Sequence, residues 1–224
     1  MDEGCIQIEL DHEATQSCAD YDQISYEDGL HKYPGFTRAA HAMIYARVQE
    51  DHLDNVQVTS LEQTLTHLVL MTMRFDGYLG FPGGLAEEGE TIEESVNREL
   101  KEEIGLENHT EIRESDVVMV HVNKKKRKGL LVFFYAKEVT MDTMKQIKDG
   151  LMKASDFGSE TLGICHIPLH IGTDGMTGLP RFLCNKFIGN TTDQIIYALP
   201  KLGIVSESTM EKAVKYCKMI KSKF

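Results

Sequence analysis

Between Gly84 and Leu106 the chain reads GLAEEGETIEESVNRELKEEIGL, and this stretch constrains the fold more tightly than any other. Ile92, Val96, Leu100 and Ile104 recur at every fourth position, laying an apolar stripe along one side of a helix. Thr91 with Glu94 forms a capping box that sets where the helix starts, and Gly105 stands where its C-terminus would fall. Elsewhere on its surface stand Glu99, Glu102 and Glu103, whose i, i+3, i+4 spacing gathers three carboxylates within about one quadrant. A glutamate-rich run is ordinarily a solvated helix face. Here Gly84, Glu90, Arg98, Glu99, Leu100, Glu102, Glu103, Gly105 and Leu106 satisfy G-x5-E-x7-R-E-U-x-E-E-x-G-U, with U a bulky aliphatic residue, at every specified position. A chance match in a chain of this length is on the order of one in ten million at average residue frequencies.

The spacing has a chemical reading. Three anions confined to so small an area repel one another, and hard, oxygen-seeking cations such as Mg²⁺ or Mn²⁺ compensate them. Ions held there draw charge off a diphosphate and lower the pKa of an attacking water, which points to phosphoanhydride hydrolysis. Leu100 anchors the helix, while Gly83 and Gly84 let backbone approach the metal and phosphates closely. Arg98 is either a surface cation or an ion-pair partner that orients Glu90 or Glu99; the second reading is preferred.

With 224 residues and 42% hydrophobic content the chain is expected to build one catalytic domain around a sizeable core. No apolar run approaches the roughly 20 residues that cross a bilayer, and no basic and apolar leader follows Met1, so a soluble protein without membrane association is expected. Cys5, Cys18, Cys165, Cys184 and Cys217 are odd in number and widely spaced, which suits free thiols in cytosol or nucleus. The net charge of -11 excludes a nonspecific coat for nucleic acid. The charge is unevenly spread: residues 1 to 30 hold nine acidic side chains and neither Lys nor Arg, so residues 1–34 are expected to be largely mobile and 35–224 to form the domain. Basic residues gather at Lys124, Lys125, Lys126, Arg127 and Lys128, and along a lysine-rich C-terminal helix.

Apolar, β-rich runs at 64–75 and 129–139 predict strands, with a further strand near 161–168. Helical patterns occupy about 141–153, 191–202 and 207–221. Strands and helices mix without βαβ regularity, which predicts an α+β fold.

The pattern spanning Gly84 to Leu106 is the Nudix box. The segments HAMIYAR (41–47), MTMRFDGYLGFPGG (71–84), FFYAKEVT (133–140) and GLPRFLCNKFIGNTTDQ (178–194) extend the similarity over residues 36–203. The chain resembles the snoRNA-decapping and inosine diphosphate phosphatase branch of Nudix hydrolases, Nudix hydrolase 16-like. The resemblance implies a mixed sheet packed between helices, a homodimer, and metal-dependent activity on inosine and deoxyinosine diphosphates and on capped nuclear RNA. It implies a place in nucleolus and nucleoplasm, with cytoplasm a further compartment. Carried over by position, Glu99 and Glu103 would hold the metal with the Gly83 carbonyl, Glu102 would assist, and Glu160 would add a carboxylate from outside the helix. His41, Arg74, Phe81, His121 and Gln194 would surround the nucleotide, with Arg74 on phosphate, and Asn185 would support the pocket.

Each pocket residue also has a structural reading: Phe81 as core, His41 as a satisfied strand histidine, Gln194 as an ordinary residue near a helix start. Leu85 stands where the branch carries an aromatic residue and Asn190 where it carries a small hydroxyl residue, so base preference is the looser inference. The run NKKKRKG (123–129) is expected at a hairpin tip, as a solvated turn, a phosphate-contacting patch or a nuclear localisation signal. The alternatives to this enzyme are a noncatalytic RNA-binding protein on the same fold, for which broken box residues would be the sign, and a Nudix hydrolase of another nucleotide such as ADP-ribose.

Overall fold

The computed structural model describes residues 20–48, 66–106 and 110–223. The elements run β1 (Asp22–Ile24), α1 (Tyr26–His31), β2 (Thr37–Arg47), β3 (His67–Arg74), β4 (Leu79–Gly80), β5 (Gly83–Leu85) and α2 (Ile92–Ile104). They continue with β6 (Val117–Asn123), β7 (Leu130–Val139), α3 (Met141–Gly150), β8 (Thr161–His166), α4 (Leu179–Phe182), α5 (Thr191–Lys201) and α6 (Glu207–Lys221). One path through the sheet is β1-β6-β7-β2-β3-β4, with β5 on β2 and β8 on β3. Its centre is a long parallel pairing of β2 with β7, from Thr37↔Leu130 to Ala46↔Val139, while the other pairings are antiparallel.

The central strands β2, β6 and β7 bury residues on both faces, and successive side chains go to opposite sides. Ala40, Ala42, Ile44 and Ala46 of β2, with Leu131, Phe133 and Tyr135 of β7, join the core built with Ile92, Val96, Leu100 and Ile104 of α2 and Met144 and Ile147 of α3. Met43 and Phe134 face the other way, into a core with Ile195 and Leu199 of α5 and Met210, Ala213 and Val214 of α6. This is the mixed sheet between helices that the sequence leads one to expect, an α+β architecture.

The box helix is built as its sequence dictates. Thr91 Oγ1 accepts from the Glu94 amide at 3.2 Å, and a Glu94 carboxylate oxygen accepts from the Thr91 amide at 2.8 Å, completing the capping box. All four stripe residues are buried, and Gly105 closes the helix in the left-handed region. Glu93 pins the helix to the sheet by accepting from the hydroxyls of Tyr26 at 2.7 Å and Tyr135 at 2.6 Å. Burial and the Glu93 carboxylate push both phenols well above their ordinary range.

The strand expected over 64–75 is β3, residues 64 and 65 lying outside the described set; the strands at 129–139 and 161–168 and the helices at 141–153, 191–202 and 207–221 are also present. The N-terminal boundary differs from the expectation. Asp22, Gln23 and Ile24 pair with Val122, His121 and Val120, and Ile24, Tyr26 and Leu30 pack on the core, so these residues belong to the fold. Their acidic neighbours hid an apolar contribution from a strand of only three residues. Residues 1–19, which hold Cys5 and Cys18, lie outside the described residues; Cys165, Cys184 and Cys217 are free thiols. Among the described residues no helix is long and apolar enough to cross a membrane.

Candidate active site

Packing of α2 against β2 and β5 brings the box carboxylates to the Gly83–Gly84 backbone. A side chain at Gly84 would place its Cβ 2.6 Å from the Glu99 carboxylate, so only glycine admits that approach. Gly83 is held as tightly from the other side: its φ is 137°, and a Cβ there would lie 2.2 Å from the Ala40 carbonyl oxygen. The freed Gly83 amide donates to Glu103 Oε2 at 3.0 Å.

Arg98 organises the rest. Its Nε and Nη2 donate to the two carboxylate oxygens of Glu90 at 2.8 and 3.1 Å, and Nη1 donates to Glu99 at 2.9 Å and Glu102 at 2.8 Å. Nη2 also reaches the Leu85 carbonyl at 3.2 Å. One planar guanidinium thus fixes three box glutamates, as the ion-pair reading expected, and the bidentate grip on Glu90 is geometry that lysine cannot copy.

The electrostatics show an anionic site only partly compensated. Burial, opposed by Arg98 but reinforced by Glu102 and Glu160, raises the Glu99 pKa. Burial pushes Glu103 up to about 7; the Gly83 amide and Arg74 oppose that rise, and Glu99 and Glu160 add to it. Glu160 therefore acts on both carboxylates from outside the helix, at the loop before β8. Among the described residues no three carboxylate, imidazole or thiol groups converge tightly enough to form a closed ion cage. Arg98 draws Glu99 and Glu102 to itself, and Glu103 turns to Gly83.

The nucleotide residues divide. His41 pairs with Gly83 across β2 and β5, and its Nδ1 is buried without a hydrogen-bond partner among the described residues. Burial first, then the Arg74 charge, lower its pKa to about 4. Arg74 is held by Asp76 at 3.1 Å, and its charge is felt at both His41 and Glu103. His121, Asn190 and Gln194 form a buried polar chain: the Asn190 amide meets His121 Nδ1, and Gln194 Nε2 donates to Asn190 Oδ1 at 3.3 Å. In the sequence Asn190 stands out only as a departure from the branch; its linking position is visible once β6 and α5 are packed together.

Two residues sit differently from the expectation. Phe81 is 3% exposed and packs on Phe134 with ring centroids 4.9 Å apart, so it is a core residue behind the site, as its structural alternative held. Asn185 is exposed and donates from Nδ2 to the Phe182 carbonyl at 2.9 Å, satisfying the end of α4. Leu85 is 57% exposed, so its side chain takes no part in the core.

Comparison with known proteins places this geometry in a family. The U8 snoRNA-decapping enzyme of Xenopus laevis aligns over 194 residues at 36% identity, covering 86% of this chain and 87% of that protein. The Tudor-interacting repair regulator protein of Gallus gallus aligns over 182 residues at 32% identity, covering 81% of this chain and 54% of that protein. Among solved structures, a MutT/nudix family protein from Enterococcus faecalis superposes with a TM-score of 0.48 at 15% identity, covering 85% of this chain and 75% of that one. The family described as Nudt16-like, U8 snoRNA-decapping enzyme-like, matches residues 38–205, and with every box position intact the chain belongs to this family of Nudix hydrolases, enzymes that act on phosphoanhydride bonds.

Proposed function

We propose that the chain cleaves the phosphoanhydride of inosine and deoxyinosine diphosphates and the cap of nuclear RNA, with Mg²⁺ or Mn²⁺ as cofactor. The observation that carries this reading is the box network: Arg98 fixes Glu90, Glu99 and Glu102 while buried Glu103 rests on the Gly83 amide with its pKa pushed up to about 7. The donor set fits a hard dication, since burial and the neighbouring carboxylates raise the pKa of Glu99 and Glu103 against the opposing pull of Arg98, Arg74 and the Gly83 amide. Glu99 and Glu103, with the Gly83 carbonyl, would hold it; Glu102 assists, and Glu160 contributes charge from the facing loop. When bound, such an ion polarises the diphosphate and acidifies a water.

The remaining residues bind and orient. Arg74, on leaving Asp76, takes a phosphate, and His41 offers its unpartnered Nδ1 toward the same end of the site. Hypoxanthine presents a carbonyl beside a ring N–H and so asks for a donor and an acceptor together, which an imidazole and an amide supply at His121 and Gln194. Asn190 joins those two, Phe81 supports the floor through Phe134, and Asn185 steadies the turn after α4. The resemblance also supports a homodimer and a nuclear place, in nucleolus and nucleoplasm, with cytoplasm in addition; sedimentation and cell imaging test these.

The deciding assay offers inosine diphosphate, deoxyinosine diphosphate, ADP-ribose, common nucleoside triphosphates and capped RNA to the purified chain with Mg²⁺, with Mn²⁺ and with chelator. Preferred hydrolysis of the inosine diphosphates and of capped RNA, lost in chelator, is expected. Preference for ADP-ribose, or turnover indifferent to chelation, overturns the reading.

A further inference from the structure

The hairpin between β6 and β7 carries five consecutive cations, and the edge strand beside it carries acids. Asp22 pairs in register with Val122, and from there its carboxylate accepts from Lys124 Nζ at 3.1 Å. Asp20, two residues earlier, forms an ion pair with Lys125. Lys126, Arg127 and Lys128 have no ion pair among the described residues. The tip is an ordered turn: Asn123 Oδ1 accepts from the amides of Lys125 and Lys126 at 3.0 and 3.3 Å, and the Gly129 amide donates to the Lys126 carbonyl at 2.8 Å. The same strand carries His121 two residues before Asn123, on the same face, with the Tyr21 ring 6.1 Å from the imidazole.

We infer that this hairpin is an exosite for the phosphate backbone of RNA, and that Asp20 and Asp22 are its built-in competitor, occupying Lys125 and Lys124 until phosphates displace them. Three observations converge. The cations are contiguous and held in a fixed turn. They follow directly on the strand that carries His121, so the basic turn adjoins the candidate base pocket. The whole chain carries a net charge of -11, so this run and the lysines of α6 are its two concentrated basic segments on an otherwise acidic background. The competitor is weak by construction, because exposed ion pairs contribute little and are screened by salt. It therefore discriminates: a single phosphate competes poorly with two carboxylates tethered to the same chain, Asp22 on β1 and Asp20 just before it, whereas consecutive phosphates release several counterions together. The inference rests on the reading that RNA is a ligand of this protein.

The test measures binding of an uncapped, fluorescent RNA 20-mer to the full chain across a salt series. Asp20→Asn with Asp22→Asn should tighten binding about three- to tenfold at low salt and steepen the log-log salt slope by about one to two. Inosine diphosphate turnover should not change, and circular dichroism should report an unchanged fold. The gain should vanish when Lys124→Ser and Lys125→Ser are added. Asp149→Asn, which frees Lys145 of an ion pair on α3, is the matched control and should give no such gain. No tightening, equal tightening in the control, or a gain that survives loss of both lysines overturns the inference. If uncapped RNA behaves as expected and capped RNA is not cleaved, the substrate reading fails and the exosite stands. If capped RNA is cleaved by a protein whose RNA affinity ignores Asp20 and Asp22, the exosite fails and the substrate reading stands.

Discussion

Gly84 and the carboxylate of Glu99 are so close that a single added methyl at position 84 would stand 2.6 Å from it. The glycine that opens the box and the glutamate near its centre are thus one contact. Gly84→Ala is expected to displace the Glu99 carboxylate and lower kcat/KM about a hundredfold with little loss of stability, since the carboxylate is the end of a flexible side chain. Steady-state kinetics beside a urea titration check this; undiminished activity would show that Glu99 need not approach the backbone.

Glu103→Gln removes a charge without changing size. The Gln side chain can still accept from the Gly83 amide through its carbonyl, so the fold should persist while turnover drops by about two decades or more. A rate equal to the native one at saturating metal would remove Glu103 from the ligand set.

Arg98→Lys should behave unlike a conservative change. One ammonium cannot grip Glu90 bidentately while bridging Glu99 to Glu102, so the patch loosens and its self-repulsion grows. Turnover is expected to fall roughly tenfold to a hundredfold with a shifted Mg²⁺ requirement. Metal titrations of both proteins decide it, identical curves counting against the organising role.

Burial holds the His121 pKa at about 4, below the unfolded value of about 6.5. A depressed histidine is neutral in the fold and protonates more readily unfolded, so its contribution is intact above about pH 6.5 and is lost as pH falls toward 4. That loss amounts to as much as about 3 kcal/mol. His41, depressed to a similar value, adds in the same direction. Urea unfolding of the native chain and of His121→Gln from pH 7 to 4.5 should give a flatter profile for the variant; parallel profiles would remove His121 as a source.

Gln194→Ala should raise KM for inosine diphosphate more than for a competing purine diphosphate, because one matched base contact is lost. Stability should also fall by about 1 to 3 kcal/mol, since the variant leaves buried Asn190 short of a partner. If KM rises equally for every base, Gln194 only supports the fold.

The box is legible in the sequence because its information is local. Cap, stripe, stop and carboxylates of α2 lie within one helix and its flanks, and their spacing is the geometry itself. Strands β2 and β6 escape a periodicity reading, because they bury both faces and so show no polar alternation. Glu93 looks like one more surface acid; its partners Tyr26 and Tyr135 lie far away in the chain, on α1 and β7. The same distance hides the link from His121 through Asn190 to Gln194. Phe81 lies in a motif whose resemblance points to the nucleotide, whereas packing against Phe134 uses its ring as core.

The parallel ladder from Thr37↔Leu130 to Ala46↔Val139 has a consequence for how the molecule forms. The chain that separates its two strands includes β3, β5 and the whole of α2, so the carboxylate helix lies inside the loop this ladder closes. Closing so long a loop costs entropy before any pairing returns it, and nonlocal parallel pairing is slow compared with the adjacent β6–β7 hairpin. The box helix can coil on local signals and dock its glutamates on Gly83 and Gly84 through the β2–β5 pairing, whereas its apolar stripe meets Leu131, Phe133 and Tyr135 only once β2 has found β7. Completion of the core beneath the box is therefore expected to trail the local contacts of the box itself.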